Sequence, residues 1–121
     1  MQKKRIKIGE SRLNLLVAKT FTEKQAGVSV LSKLEIGEGM IFQFKIPMRY
    51  GFWMRGVRFP IDIIWIRSKK VVGINHGVPA GRGISLLSLQ AYYPPVMVDC
   101  VIEVAGGEAE RLGINVGDDL T

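Results

Sequence analysis

The sequence is poor in the residues that build covalent and metal frameworks. Among its 121 residues there is one cysteine, Cys100, and one histidine, His76. A single thiol forms no internal disulfide, and one Cys with one His does not furnish a zinc-type ligand set. No metal and no cofactor is therefore expected. Long hydrophobic runs are missing as well. Every apolar segment is interrupted by charged residues, short of the ~20 apolar residues a membrane span needs. The basic start "MQKKRIKI" runs into Gly9, Glu10, Ser11 and Arg12 rather than into an apolar stretch, so no secretory leader is read. The expectation is a cytoplasmic protein in a reducing compartment. The chain also lacks a Walker loop, a paired-histidine zinc motif and a nucleophile elbow. "GVPAGRG" (77–83) has no Lys-Ser/Thr ending and is at most a weak phosphate nest. His76, in a loop, reads as a surface histidine before it reads as a base. No catalytic residue is assigned.

What the sequence does hold is enough apolar material for one domain spanning 1–121. Hydrophobic residues make up 47% and charged residues 23%, a composition that folds rather than stays disordered. The net charge of +6 is uneven: residues 1–60 carry 12 basic and 4 acidic groups, residues 61–121 carry 5 and 7. Lys3, Lys4, Arg5 and Lys7 account for much of it. Lysines on an edge strand discourage edge-to-edge pairing, and this reading is favoured over a nucleic-acid arm.

The hydrophobic period is mostly two. Arg5–Ile8, Leu13–Phe21, Met40–Ile46, Phe52–Met54, Ile61–Arg67, Val71–Ile74 and Val96–Val104 read as strands. Pro47 is expected to end the third of these. Thr22 with Gln25 makes a capping box, and Gly27, Val30, Leu31 and Leu34 share a helical face, which predicts a helix over about 23–34. Gly27 on that inward face implies a close helix–sheet contact. "AGGEAERLG" reads as a short helix closed by Gly113. No β-helix-β rhythm appears. The expected fold is mainly β, a small antiparallel sandwich or barrel with one helix in the N-terminal half and one short C-terminal helix.

The chemically suggestive stretch is "GFWMRGVRFPIDIIWI" (51–66). Asp62 sits in a strand that is apolar on both faces, so it is at least partly buried and needs hydrogen bonds or a charged partner. With the Gly56–Pro60 turn folding the preceding strand alongside, Arg55 or Arg58 is the obvious partner. A paired Asp–Arg clamp that fixes register and a ligand-facing role are both open. Trp53 reads either as core or as a stacking surface at a cleft rim. Arg49, Arg55 and Arg58 around Phe52 and Trp53 form a basic-aromatic cluster. Cys100 alternates with Val98 and Ile102, as a buried thiol would. Asp99 and Glu103 share the other face of that strand, about 13 Å apart at ~3.3 Å per residue.

"EGMIFQF", "FWMRGVRFPIDIIWI", "VVGI" and "VIEVAGGEAERLGINVGDDL" together resemble the domain-of-unknown-function family DUF192, from about Thr22 to Leu120. The resemblance implies a compact, mainly β fold with a short helix near its start, and it implies no activity. Many members look exported or lipid-anchored. Gly27-Val28-Ser29 departs from the family's usual Gly-Leu-Met, and Arg55-Gly56-Val57 from its Lys-Asn-Thr. Arg55, Pro60, Asp62 and Glu103 match by position.

The leading functional expectation is a non-catalytic binding module. Its cleft lies near a Phe52–Asp62 hairpin, with Trp53, Arg55, Arg58, Asp62 and Glu103 as candidate site residues for a small polar or anionic ligand or a peptide. One alternative is a carboxylate hydrolase or lyase with Asp62 and Glu103 as acid and base. Another is nucleic-acid binding through the basic N-terminal half. A homodimer through free strand edges stays open.

Overall fold

A computed structural model describes all 121 residues. Eight strands form in chain order: β1 (Lys3–Ile8), β2 (Ser11–Ala18), β3 (Glu38–Met48), β4 (Phe52–Trp53), β5 (Ile61–Arg67), β6 (Lys70–Val78), β7 (Ala91–Tyr92) and β8 (Val98–Ala105). Two short helices accompany them, α1 (Phe21–Ala26), continued by a 3-10 turn over Gly27–Val30, and α2 (Glu108–Arg111). The mainly β expectation holds. The main sheet has six strands in the order β1-β2-β3-β8-β5-β6, and β4 with β7 makes a separate two-stranded ribbon. The sheet is mixed rather than wholly antiparallel, because β2 and β3 run parallel. The helical crossover between them is what a parallel connection requires. No helix is long and apolar enough to cross a membrane.

The sheet is not closed strand to strand into a barrel. Its two edges are instead bridged by the C-terminal segment. Lys7 and Thr121 exchange backbone hydrogen bonds on the β1 side, while Val71 donates to the Asp118 carbonyl and Leu120 to the Lys69 carbonyl on the β6 side. The sheet therefore curls around an inner core that includes Ile8, Leu15, Ile41, Ile64, Ile66, Ile102 and Val104. A second core lies on the outer face, built on Met40, Phe42, Ile61, Ile63, Trp65 and Val101. It is covered by α1, the 3-10 turn and the β4–β7 ribbon. Two cores on one sheet explain why Ile61 to Ile66 is buried without a break: the central strand faces apolar packing on both sides. The indole nitrogen of Trp65 still finds a partner, donating to Asn75 Oδ1 at 2.8 Å.

Several local expectations are corrected. The first helix is capped by Thr20, not Thr22. Thr20 Oγ1 accepts from the Glu23 amide, and Glu23 Oε1 accepts from the Thr20 amide. "TFTEKQ" contains two overlapping capping boxes, and the one nearer the end of β2 is used. The helix stops at Ala26, well short of residue 34, because Gly27 takes φ +53° and breaks it. β3 continues through Pro47 to Met48, with an irregular register to β8 beyond Gln43. His76 lies within β6, not in a loop, and is exposed. β4 does not form a hairpin with β5; it pairs with β7, and β5 pairs with β6 and β8.

Candidate functional site

The register of β5 against β8 decides the fate of the two carboxylates. Asp62 stands opposite Val104 and Ile63 opposite Glu103. Cross-strand partners share a face and neighbours along a strand alternate. Asp62 therefore projects toward the inner side of the sheet and Glu103 toward the outer side. The acid–base pair of the alternative hydrolase or lyase reading does not form.

Asp62 has no solvent exposure and no arginine partner. Its Oδ1 accepts from the Gly77 amide at 2.8 Å and the Gly107 amide at 3.2 Å. Its Oδ2 accepts from Gly107 at 3.1 Å and Ala109 at 2.9 Å. Three backbone donors satisfy a buried carboxylate in place of a counter-ion. Gly107 precedes α2 and has no side-chain cap of its own. Asp62 supplies that cap from across the fold, accepting amides the short helix leaves free. The expected Asp–Arg clamp is thus replaced by a clasp between β5, β6 and α2. Arg55 and Arg58 are both exposed, and neither forms an ion pair.

Glu103 is the opposite case. It is 3% exposed, and its Oε1 is sealed from solvent without any hydrogen-bond partner. Burial pushes its carboxyl up to about 8, with the Val28 amide pulling the other way. No cation of the chain pairs with it. An orphaned buried polar atom costs roughly 1–3 kcal/mol.

Glu103 lines a cleft of about 640 Å³ on the outer face. The cleft lies between α1 with its 3-10 turn on one side and the Tyr50–Trp53 segment with the β7 end on the other. Phe21, Phe44, Tyr50, Phe52, Trp53 and Tyr93 line it, with Lys24 and Gln25 among its polar residues. Phe44 stacks on Tyr50 with centroids 3.8 Å apart, and Phe52 sits edge-on to Phe42 at 5.0 Å. Gly27 is what lets the 3-10 turn approach the floor. A Cβ there would lie 3.3 Å from Glu103 Oε1 and 3.5 Å from the Phe42 ring. The cations near the cleft are already engaged. Lys24 Nζ donates to the Gln43 carbonyl at 2.7 Å and stands 4.7 Å from the Phe44 centroid. The Arg55 guanidinium lies 5.6 Å from the Trp53 ring.

Of the residues singled out from sequence, Trp53 and Glu103 line this cleft, and Arg55 flanks it through Trp53. Arg58 and Asp62 are not among its lining residues. Phe44, Tyr50 and Tyr93 escaped notice, although "RYGFW" and "AYYPP" concentrate aromatic residues beside glycine or proline. Cys100 is buried as expected, and burial pushes its thiol up to about 12.

The sequence profile of DUF192, described as Uncharacterized ACR, matches residues 4–121. No curated protein matches the sequence. Two solved structures are similar over nearly the whole chain. One is a candidate transcription regulator from Sinorhizobium meliloti 1021, with a TM-score of 0.87 and 21% identity over 99% of this chain and 93% of that one. The other is a protein of unknown function from Novosphingobium aromaticivorans, with a TM-score of 0.87 and 27% identity over 100% of this chain and 86% of that one. At 21% identity the first likeness speaks for the fold alone.

Proposed function

The chain belongs to the uncharacterised family DUF192, and from this premise we propose that it is a non-catalytic binding module whose site is the aromatic cleft of its outer face. One observation carries the reading: a buried carboxyl with an unpartnered oxygen at the floor of an otherwise aromatic cleft. Concave, mostly apolar sites with a few convergent polar groups are where small ligands bind. Aromatic walls supply the contact area, and the lone polar group sets orientation. Among the candidate residues, the geometry favours Trp53 and Glu103 over Arg58 and Asp62. The ligand is a small molecule or a side chain presented by a peptide. We assign this role to the cytoplasm on the strength of the single unpaired thiol of Cys100.

Native mass spectrometry of gently purified protein, paired with a denatured run, tests the reading. A mass excess lost on denaturation and absent in Trp53→Ala supports it. An adduct that Trp53→Ala and Glu103→Gln both retain moves the site elsewhere and defeats it.

A second reading, nucleic-acid binding, is favoured by one detail. Lys7 stands directly opposite Arg12 in the β1–β2 register, with only the exposed Glu10 carboxylate, 3.8 Å from Lys7 Nζ, to offset the like charges. Binding to duplex DNA that falls steeply with salt and is lost in Lys7→Ala/Arg12→Ala would support it. No retention on heparin at low salt would sink it.

A further inference from the structure

The charge of the cleft allows its ligand to be named by class, an inference that rests on the binding reading above. The floor offers an oxygen that accepts and has nothing to accept from. An anionic ligand would gain no ion pair here, because the carboxyl is either neutral or negative and Lys24, the one cationic residue lining the cleft, is already held by the Gln43 carbonyl. A neutral ligand would satisfy the oxygen but would leave the aromatic walls' preference for positive charge unused. Those walls already show this preference: Lys24 and Arg55, the two cations that reach them, each stand against a ring. A ligand cation brings both terms together. It pairs with a carboxyl that has no counter-ion in the chain, and its N–H gives the unpartnered oxygen a charge-assisted hydrogen bond.

We propose that the cleft binds a primary alkylammonium group, its N–H directed at Glu103 Oε1 and its carbon chain lying among Tyr50, Trp53 and Tyr93. The group could be that of a free amine or of a lysine side chain in a peptide. Gly27 makes room for it, since any side chain there would crowd Glu103 Oε1. Because burial holds Glu103 protonated to about pH 8, pairing with an ammonium ion expels that proton. Lys24 from α1, Tyr50 ahead of β4 and Tyr93 after β7 are the other titratable groups lining the cleft. The displaced proton goes to buffer.

The test is a backbone-amide chemical-shift titration with n-butylammonium, n-butanol, butyrate and butyltrimethylammonium, and with a blocked lysine amide as the peptide source. Butylammonium should shift Gly27, Val28 and the Trp53 indole, binding at least about tenfold more tightly than butanol or butyrate. Glu103→Gln and Trp53→Ala should each weaken it by about tenfold or more, and calorimetry in buffers of different ionisation enthalpy should detect proton release in the wild type and not in Glu103→Gln. The lysine amide binding at least as tightly as butylammonium names a peptide as the source; weaker binding names a free amine. Equal binding of butanol or butyrate at the same residues overturns the cation inference and leaves the cleft a binding site. Equal binding of the trimethyl probe overturns the N–H pairing with Glu103. Failure of every probe to perturb the cleft, with native mass spectrometry also showing no adduct, overturns both this inference and the binding reading. Because Gln is the neutral isostere of protonated Glu, the Glu103→Gln protein should fold, and its amide spectrum verifies this.

Discussion

Asp62 and Glu103 sit one register step apart on paired central strands, both nearly sealed from water, and they face opposite sides of the sheet. Asp62 is surrounded by donors: three amides from β6 and the start of α2 converge on its two oxygens. Glu103 has an oxygen with no partner. The contrast separates two uses of a buried charge. A carboxylate whose every lone pair is engaged by the chain holds the fold together and has nothing left to offer a ligand. A carboxyl left short of partners beside a cleft is a cost to the fold that a ligand can relieve.

Removing either group tests that contrast, and Asp62 should give the larger loss of stability. Asp62→Ala strips the acceptor from three buried amides, and the expected loss is about 4 kcal/mol in denaturant unfolding. Asp62→Asn keeps one accepting oxygen and should fall between wild type and Ala. A loss under about 1 kcal/mol in Asp62→Ala would mean the clasp is not what joins α2 to the sheet.

The next effect falls at Gly27, where the 3-10 turn approaches Glu103. Gly27→Ala must hold φ near +53° and brings a methyl group against Oε1. The expected cost is about 2 kcal/mol by thermal unfolding. A neutral result would show that the turn gives way easily.

Glu103→Gln should invert the Asp62 pattern. The carboxyl's ordinary value is 4.5, and in the folded chain it lies at about 8, so between those values the native state holds a proton that the unfolded state has released. Native stability from this group is therefore full below about pH 4.5, falls as pH rises through the window by up to ~1.4 kcal/mol per pH unit, and levels off above about pH 8. The difference between wild type and Glu103→Gln, followed by unfolding across that range, should carry the slope. At the acid end the two should be nearly equal in stability, and at the alkaline end Gln should be the more stable. A difference that does not change with pH would mean that Glu103 is not held protonated by burial.

The smallest effect concerns the rim. Arg55 lies exposed against Trp53, and Arg55→Ala should cost under about 1 kcal/mol. A larger loss would make the pair a structural element rather than the edge of a cleft.

Parts of this arrangement were legible in the residues themselves. An aspartate between isoleucines on a strand apolar on both faces had to be buried and had to be satisfied, and it is. Its partners were not legible, because the amides of 77, 107 and 109 come from segments far along the chain, and a backbone donor leaves no signature in sequence. Arginine was the natural guess because it is the partner that sequence displays. The two threonines ahead of α1 show a different limit. Both fit the capping-box spacing, and nothing local distinguishes Thr20 from Thr22. The aromatic cleft was half visible. Trp53 and Glu103 stood out, whereas Phe44, Tyr50 and Tyr93 passed unremarked until the β4–β7 ribbon brought them around one opening.

By itself the sequence determined that this chain is mainly β, with a doubly apolar central strand and a lone buried thiol. These follow from side-chain period and composition, which act locally and are written residue by residue. Only the tertiary structure decided that β2 and β3 run parallel, that the C-terminal segment ties the sheet's edges, and that Asp62 and Glu103 are divided by the sheet. Register is the physical reason. A shift of one residue between β5 and β8 exchanges every inward and outward side chain, and that register is fixed by the packing of both cores at once, not by either strand alone.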